Sequence, residues 1–89
     1  MKGIVTVLGK DSVGIIARIC SYMSDKNINV LDIAQTIVDG YFNMMMVVDL
    51  KDSYEPMESL VPGLEALGRD IGVVVRLQHE DIFNAMHRV

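Results

Sequence analysis

Residues 3–8, Gly3-Ile4-Val5-Thr6-Val7-Leu8, are β-branched and apolar at both parities, the pattern of a strand covered on both faces. Gly9 ends it. From Val13 the period lengthens: Val13, Ile16, Ala17, Cys20 and Met23 form one stripe, widened by Ile15, Ile19 and Tyr22, which predicts a helix ending near Lys26-Asn27. Asn29 to Val38 alternates again, with Leu31, Ile33 and Ile37 on one face and Asp32 and Thr36 on the other, as in a half-buried strand near a sheet edge. Asp39-Gly40 between two β-patterned runs predicts a two-residue hairpin, since both central positions of a type I′ turn need positive φ. The third strand then starts at Tyr41, with Phe42, Met44, Met46, Val48 and Leu50 on its core face and a second face, Asn43, Met45 and Val47, only partly polar. That suits a central position. Ser53 as cap, Pro56 in the first turn and Met57, Leu60, Val61, Leu64 and Leu67 predict a second helix. Pro62 removes an amide donor inside it, so a kink or break is expected near Ser59 to Val61. Ile71, Val73, Val75 and Leu77 mark a fourth strand, and a short helix from Asp81 presents Ile82, Phe83 and Met86.

The order is βαββαβ with a helical tail. Leu8-Gly9-Lys10-Asp11-Ser12 is echoed by Leu50-Lys51-Asp52-Ser53, each just before a helix, which divides the chain into two βαβ halves. Right-handed crossovers in both put the first and third strands at the centre, and these are the two strands apolar on both faces. The expected fold is therefore an α+β, ferredoxin-like βαββαβ sandwich. Its four-stranded antiparallel sheet has order 4-1-3-2, with two helices on one face and a short C-terminal helix. Residues 1–78 form the domain and 79–89 the tail.

Composition narrows the function. The chain has 89 residues, 51% of them apolar, so it is one small domain, and self-association is the expected reinforcement for a core of this size. Eight basic against twelve acidic residues give a net charge of −4, which opposes binding to a phosphate backbone and argues against nucleic acid as partner. One cysteine allows no internal disulfide, and the longest strongly apolar run is Met44 to Val48, too short to span a membrane or serve as a signal segment. A cytoplasmic homodimer is expected.

Candidate catalytic groups are few. His79 and His87 would lie ~12 Å apart on a helix, too far to share an ion within one chain, and Cys20 on the helical stripe reads as a small buried hydrophobe. No metal site and no cofactor is expected. Met44 and Met46 share a core face, which makes the Met44-Met45-Met46 run packing material, not a soft-metal surface. Exposed aromatics with basic charge, a cysteine pair in the first loop and an arginine-bearing anion loop are all missing, so RNA recognition, metal delivery and acylphosphatase-like chemistry are not indicated.

What remains distinctive is Asp11-Ser12-Val13-Gly14 at the first strand-to-helix junction and Asn27-Ile28-Asn29-Val30 at the far end of that helix. In one reading Asp11 or Ser12 caps the helix, Gly14 allows close packing and Asn29 shapes a turn. In the other, Gly14 lets a small molecule approach the helix N-terminus, where free amides favour a carboxylate and Asp11 meets an ammonium, the two charges of an amino acid. Gln35, interrupting the apolar face of Leu31, Ile33 and Ile37, needs a partner if it is buried.

Together these segments resemble the ACT domain, a βαββαβ ligand-sensing module with a D-x-x-G loop before its first helix and an N-I-N-I-like start to the next strand. Asp11 to Gly14 and Asn27 to Val30 match those motifs. Val5 to Asp11, Asp32 to Thr36 and Gln78 to Phe83 are similar to the small stand-alone ACT proteins of bacteria and archaea, so the likeness spans nearly the whole chain. The resemblance implies a non-catalytic regulatory protein. It would bind an amino acid or related metabolite between domains of a side-by-side dimer, at Asp11, Ser12, Val13, Gly14, Ile28, Asn29 and Gln35, and signal in trans to a protein partner. The alternative is a structural interaction module without a ligand, docking through Ala34, Val38, Met45, Val47 and the Ile82-Phe83-Met86 tail.

Overall fold

The computed structural model describes residues 1–86, and the expectation for His87 lies outside them, as does that for the side chain of Met86. The elements are β1 (Lys2–Lys10), α1 (Ile15–Asp25), β2 (Asn29–Val38), β3 (Tyr41–Asp49), α2 (Met57–Ile71), β4 (Val73–His79) and α3 (Glu80–Met86). The sheet order β2-β3-β1-β4, antiparallel throughout, is the predicted one. Asp39 and Gly40 take φ of 52° and 80°, so the hairpin turn is built as the Asp-Gly pair requires.

The core lies between one sheet face and the two long helices. Val5, Val7, Phe42, Met44, Met46, Val48, Val73, Val75 and Leu77 point into it from the strands, and Ile15, Ile19, Met23, Leu60 and Leu64 from the helices. Met44 and Met46 are at most 1% exposed while Met45 on the opposite face of β3 is 41% exposed, as strand alternation dictates.

Several expectations need correction. Helix α1 begins at Ile15, two residues later than the apolar pattern suggested, because Gly14 turns left-handed immediately before it. Its buried stripe is accordingly Ile15, Ile19 and Met23; Val13 is fully exposed, and Ile16 and Ala17 face outward. Cys20 is half-buried, not enclosed. Ser53 does not cap α2: its hydroxyl donates to the Glu55 carbonyl and accepts from the Glu55 amide, and the helix starts after Pro56. Helix α2 runs unbroken through Pro62. The carbonyl that loses its donor there belongs to Glu58, an exposed residue, so the missing bond falls on the solvent side of the helix, where it costs least. Ile71 closes α2 instead of opening β4, and Gly72, at φ 80°, turns the chain between them.

Strand β2 departs most from expectation. Only Val30 is half-buried and every residue from Leu31 to Val38 is exposed. A bulge between Val30 and Asp32 puts Leu31 out of phase, leaving Ile33, Gln35 and Ile37 opposite Met46, Met44 and Phe42 on the helix side of the sheet, yet exposed. Gln35 is therefore exposed and has no burial to compensate.

The C-terminus of α1 is anchored to the segment before α2. The Tyr54 amide donates to the Lys26 carbonyl, and the Lys26 ammonium pairs with Glu55 and sits 5.5 Å from the Tyr22 ring centroid. Hydrogen bonding to Glu55 raises the Lys26 pKa, and burial raises that of Tyr22. Both groups hold their proton more tightly folded than unfolded, so their contribution is complete at neutral pH and is lost as pH climbs through and above the ordinary range near 10. Thermal melts across pH 9–12 should show a steeper decline for the wild type than for Lys26→Met; parallel curves would remove this anchor from the account.

Among the described residues no helix is long and apolar enough to cross a membrane.

Candidate functional site

The turn from β1 into α1 is held at its start by the Asp11 amide, which donates to the Gly40 carbonyl at 2.9 Å and so fastens the turn to the β2-β3 hairpin. Asp11, Ser12, Val13 and Gly14 are all exposed. Gly14 occupies the N-cap position of α1 at φ 90°, and no side chain caps the helix. The capping roles expected of Asp11 and Ser12 are thus not taken up. Nor does Gly14 serve close packing, since a Cβ added there would meet nothing within 4 Å. Its requirement is the left-handed backbone, which costs a residue bearing a side chain about 1 kcal/mol or more. The first intrahelical bond runs from the Arg18 amide to the Gly14 carbonyl, so the amides before it have no partner within the helix and none from a capping side chain.

The far end of α1 is closed by the chain itself. The Ile28 amide donates to the Met23 carbonyl and the Asn27 amide to the Ser24 carbonyl, with Asn27 left-handed at φ 59° and Met23 and Ile28 both buried. This is a Schellman closure with asparagine in the usual place of glycine. It turns the chain straight into β2 and puts Ile28 and Asn29 at the wall of a cavity of about 390 Å³, lined also by Cys20, Ser24, Asn27, Asp49 and Asp52. That volume is in the range that small-molecule sites occupy. The Asn27 amide group donates to the Asp52 carbonyl at 3.0 Å, and an Asp49 carboxylate oxygen accepts from the Lys51 amide at 2.9 Å.

The seven residues singled out from the sequence therefore fall into three places. Asp11, Ser12, Val13 and Gly14 form one turn, Ile28 and Asn29 border the cavity, and Gln35 lies exposed in the middle of β2, where it borders a shallow depression with Ala34, Thr36, Asn43 and Met45. The eleven residues of α1 separate the first two groups by about 16 Å. Within one chain they do not converge. Asp49 and Asp52 were missed; the echo of Lys10-Asp11-Ser12 in Lys51-Asp52-Ser53 was the available signal for Asp52. His79 is half-buried, and its Nδ1 accepts from the Asp81 amide at 3.1 Å. No group of three His, Cys, Asp or Glu side chains gathers among the described residues.

Comparison with known proteins gives the family. Residues 3–78 match the family model described as ACT domain. A UPF0237 protein of Bifidobacterium longum is 58% identical over 88 residues, 99% of this chain and 98% of that one. A UPF0237 protein of Clostridium acetobutylicum is 46% identical over the full length of both. The structure of an ACT domain protein from Streptococcus pneumoniae superposes with a TM-score of 0.83 at 39% identity, covering 98% of each chain. With the βαββαβ sheet already in place, these matches establish that the chain belongs to the ACT domain family, a family of regulatory modules that bind small ligands.

Proposed function

We propose that this protein is a non-catalytic regulatory module that binds an amino acid or related small metabolite as a cytoplasmic homodimer and signals in trans to a metabolic or regulatory partner. The observation that carries the reading is Gly14, left-handed, at an uncapped helix start and with nothing beyond its chain neighbours within 4 Å of the place its side chain would occupy. A carboxylate fits the free amides beside it, and Asp11 offers a counter-charge for an ammonium.

The geometry of α1 supports a second copy. The Asp11–Gly14 turn lies at the end of the sheet where β2 finishes, next to the hairpin, whereas Asn29 lies where β2 begins. Two β2 edges paired antiparallel about a two-fold axis bring the start of each beside the finish of the other. Asn29 and the cavity of one protomer then sit against the Asp11–Gly14 turn of its partner, and Ile33, Gln35 and Ile37 lose their exposure at the seam. His79 ends β4, so the tail is proposed to begin at Glu80 with α3.

Thermal-shift and calorimetric screening of the purified chain against the amino acids should identify a ligand. Asp11→Ala and Asn29→Ala should each abolish binding, while a mixture of the two variants should recover binding at one site in each hybrid dimer. Loss of binding without recovery in the mixture would sink the shared site, and failure of every amino acid and related metabolite to bind would leave the interaction-module reading.

A further inference from the structure

We infer that the outer edge of β4, with the groove between it and α2, is the docking site for an extended acidic segment of the protein partner, which joins the sheet there as a fifth strand. The inference deepens the in-trans reading above, and the partner as occupant rests on that reading. Strand β4 ends the sheet and pairs with β1 alone. Alternate residues therefore point their amides and carbonyls away from β1, and over residues 73–76 these groups meet no partner among the described residues. Those four residues form one wall of a groove of about 230 Å³, and Glu65 and Arg69 of α2 form the other. A free strand edge beside a groove is the arrangement that strand addition uses.

Charge selects the occupant. The arginines among the described residues are Arg18, Arg69 and Arg76; Arg18 pairs with Asp70 at 2.7 Å, whereas Arg69 and Arg76 are exposed, have no ion pair among the described residues and both line this groove. They flank the edge. Val75 and Leu77 are buried on the core face, so Arg76 lies on the open side of β4, while Arg69 comes from the helix side. Glu65, one turn before Arg69 in α2, offsets that charge, which leaves the net attraction at Arg76. Val74, 55% exposed, shares the open side two positions earlier. An incoming strand thus sets an apolar residue against Val74 and a carboxylate against Arg76, two positions apart on one of its faces. A second copy of β4 fits badly, because full pairing of Val73–His79 with itself about a two-fold axis places Arg76, the middle residue, opposite its own copy.

The probes are two short, blocked, threonine-rich peptides, one carrying a valine and a glutamate two positions apart, the other a lysine in place of the glutamate. Each is titrated to millimolar concentration into the isotope-labelled full chain with no amino acid present. The glutamate peptide should shift the amide signals of residues 73–76 and slow their hydrogen exchange, with the lysine peptide about tenfold weaker. Arg76→Glu should invert that preference; the position is exposed, and the amide spectrum verifies that the variant is folded. Equal affinity for the two peptides, shifts confined to β2, or no shift at residues 73–76 overturns the docking site. Inorganic phosphate that moves these amides where the peptide does not leaves a small-anion site and overturns it as well. Since no amino acid is present, failure at this edge is a separate result from failure of the ligand screen.

Discussion

Gly68→Ala is expected to remove about 3 kcal/mol of stability and to lower Tm by roughly 15 °C, the overpacking cost when the neighbour cannot give way. A Cβ at Gly68 would lie 2.6 Å from the Val73 carbonyl oxygen, 2.9 Å from Val75 Cγ2 and 3.1 Å from the Val75 amide nitrogen. Two of these three atoms are β4 backbone. Gly72 turns the chain so tightly, its amide donating to the Gly68 carbonyl, that β4 runs directly alongside the last turns of α2. Relief would require moving β4 away from the helix and from β1, with which it pairs over its whole length. Gly63 in the same helix is the internal control. Its Cβ would press only on the Tyr22 hydroxyl, the free end of a side chain that can swing, and alanine improves helix propensity by ~1 kcal/mol. Gly63→Ala should therefore stay within about 0.5 kcal/mol of the wild type in a denaturant titration. Equal losses at both positions would show that backbone approach is not the cause.

Ile19→Ala should cost about 3 kcal/mol, a large share of the stability of a domain this small, whereas Ile16→Ala should cost under 1 kcal/mol. Ile19 is wholly buried in the middle of the α1 stripe, while Ile16 is 36% exposed on its outer flank. The pair reads out the rotational setting of α1 directly. It bears on the proposed ligand site as well, because α1 is the spacer that sets the Asp11–Gly14 turn and the Asn29 cavity at opposite ends of the helix. Comparable losses at the two positions would rotate the helix and move both.

The difference between Ile16 and Ile19 also marks how far local pattern reaches. Strand order, the Asp39-Gly40 hairpin and the inward setting of Met44 and Met46 follow from a period of two and one turn dipeptide, both of which act over a few residues. The α1 stripe did not follow, because a broad apolar pattern with Val13, Ile15 and Ile16 side by side fits two rotations, and only the left-handed backbone at Gly14 selects one. Ile33, Ile37 and Val38 are apolar yet exposed in the single chain, since hydrophobicity alone does not decide which residues the fold covers. The candidate site was legible in the same partial way. Asp11–Gly14 and Asn27–Val30 stand out as loops with chemical character, but their 16 Å separation is a property of the folded helix, and the cavity beside Asn29 depends on Asp49 and Asp52 arriving from the end of a distant strand.

The irregularity at Leu31 has a bearing on how growth by strand addition stops. An uninterrupted, flat border of hydrogen-bonding groups is a template that recruits chain upon chain. A local twist at one end allows one neighbour to seat over residues 32–38 and spoils the match for any longer partner. With that border occupied in the proposed dimer, the sheet's other margin is the seven-residue β4, which passes at once into α3. Neither rim is left as a long straight seed for fibres.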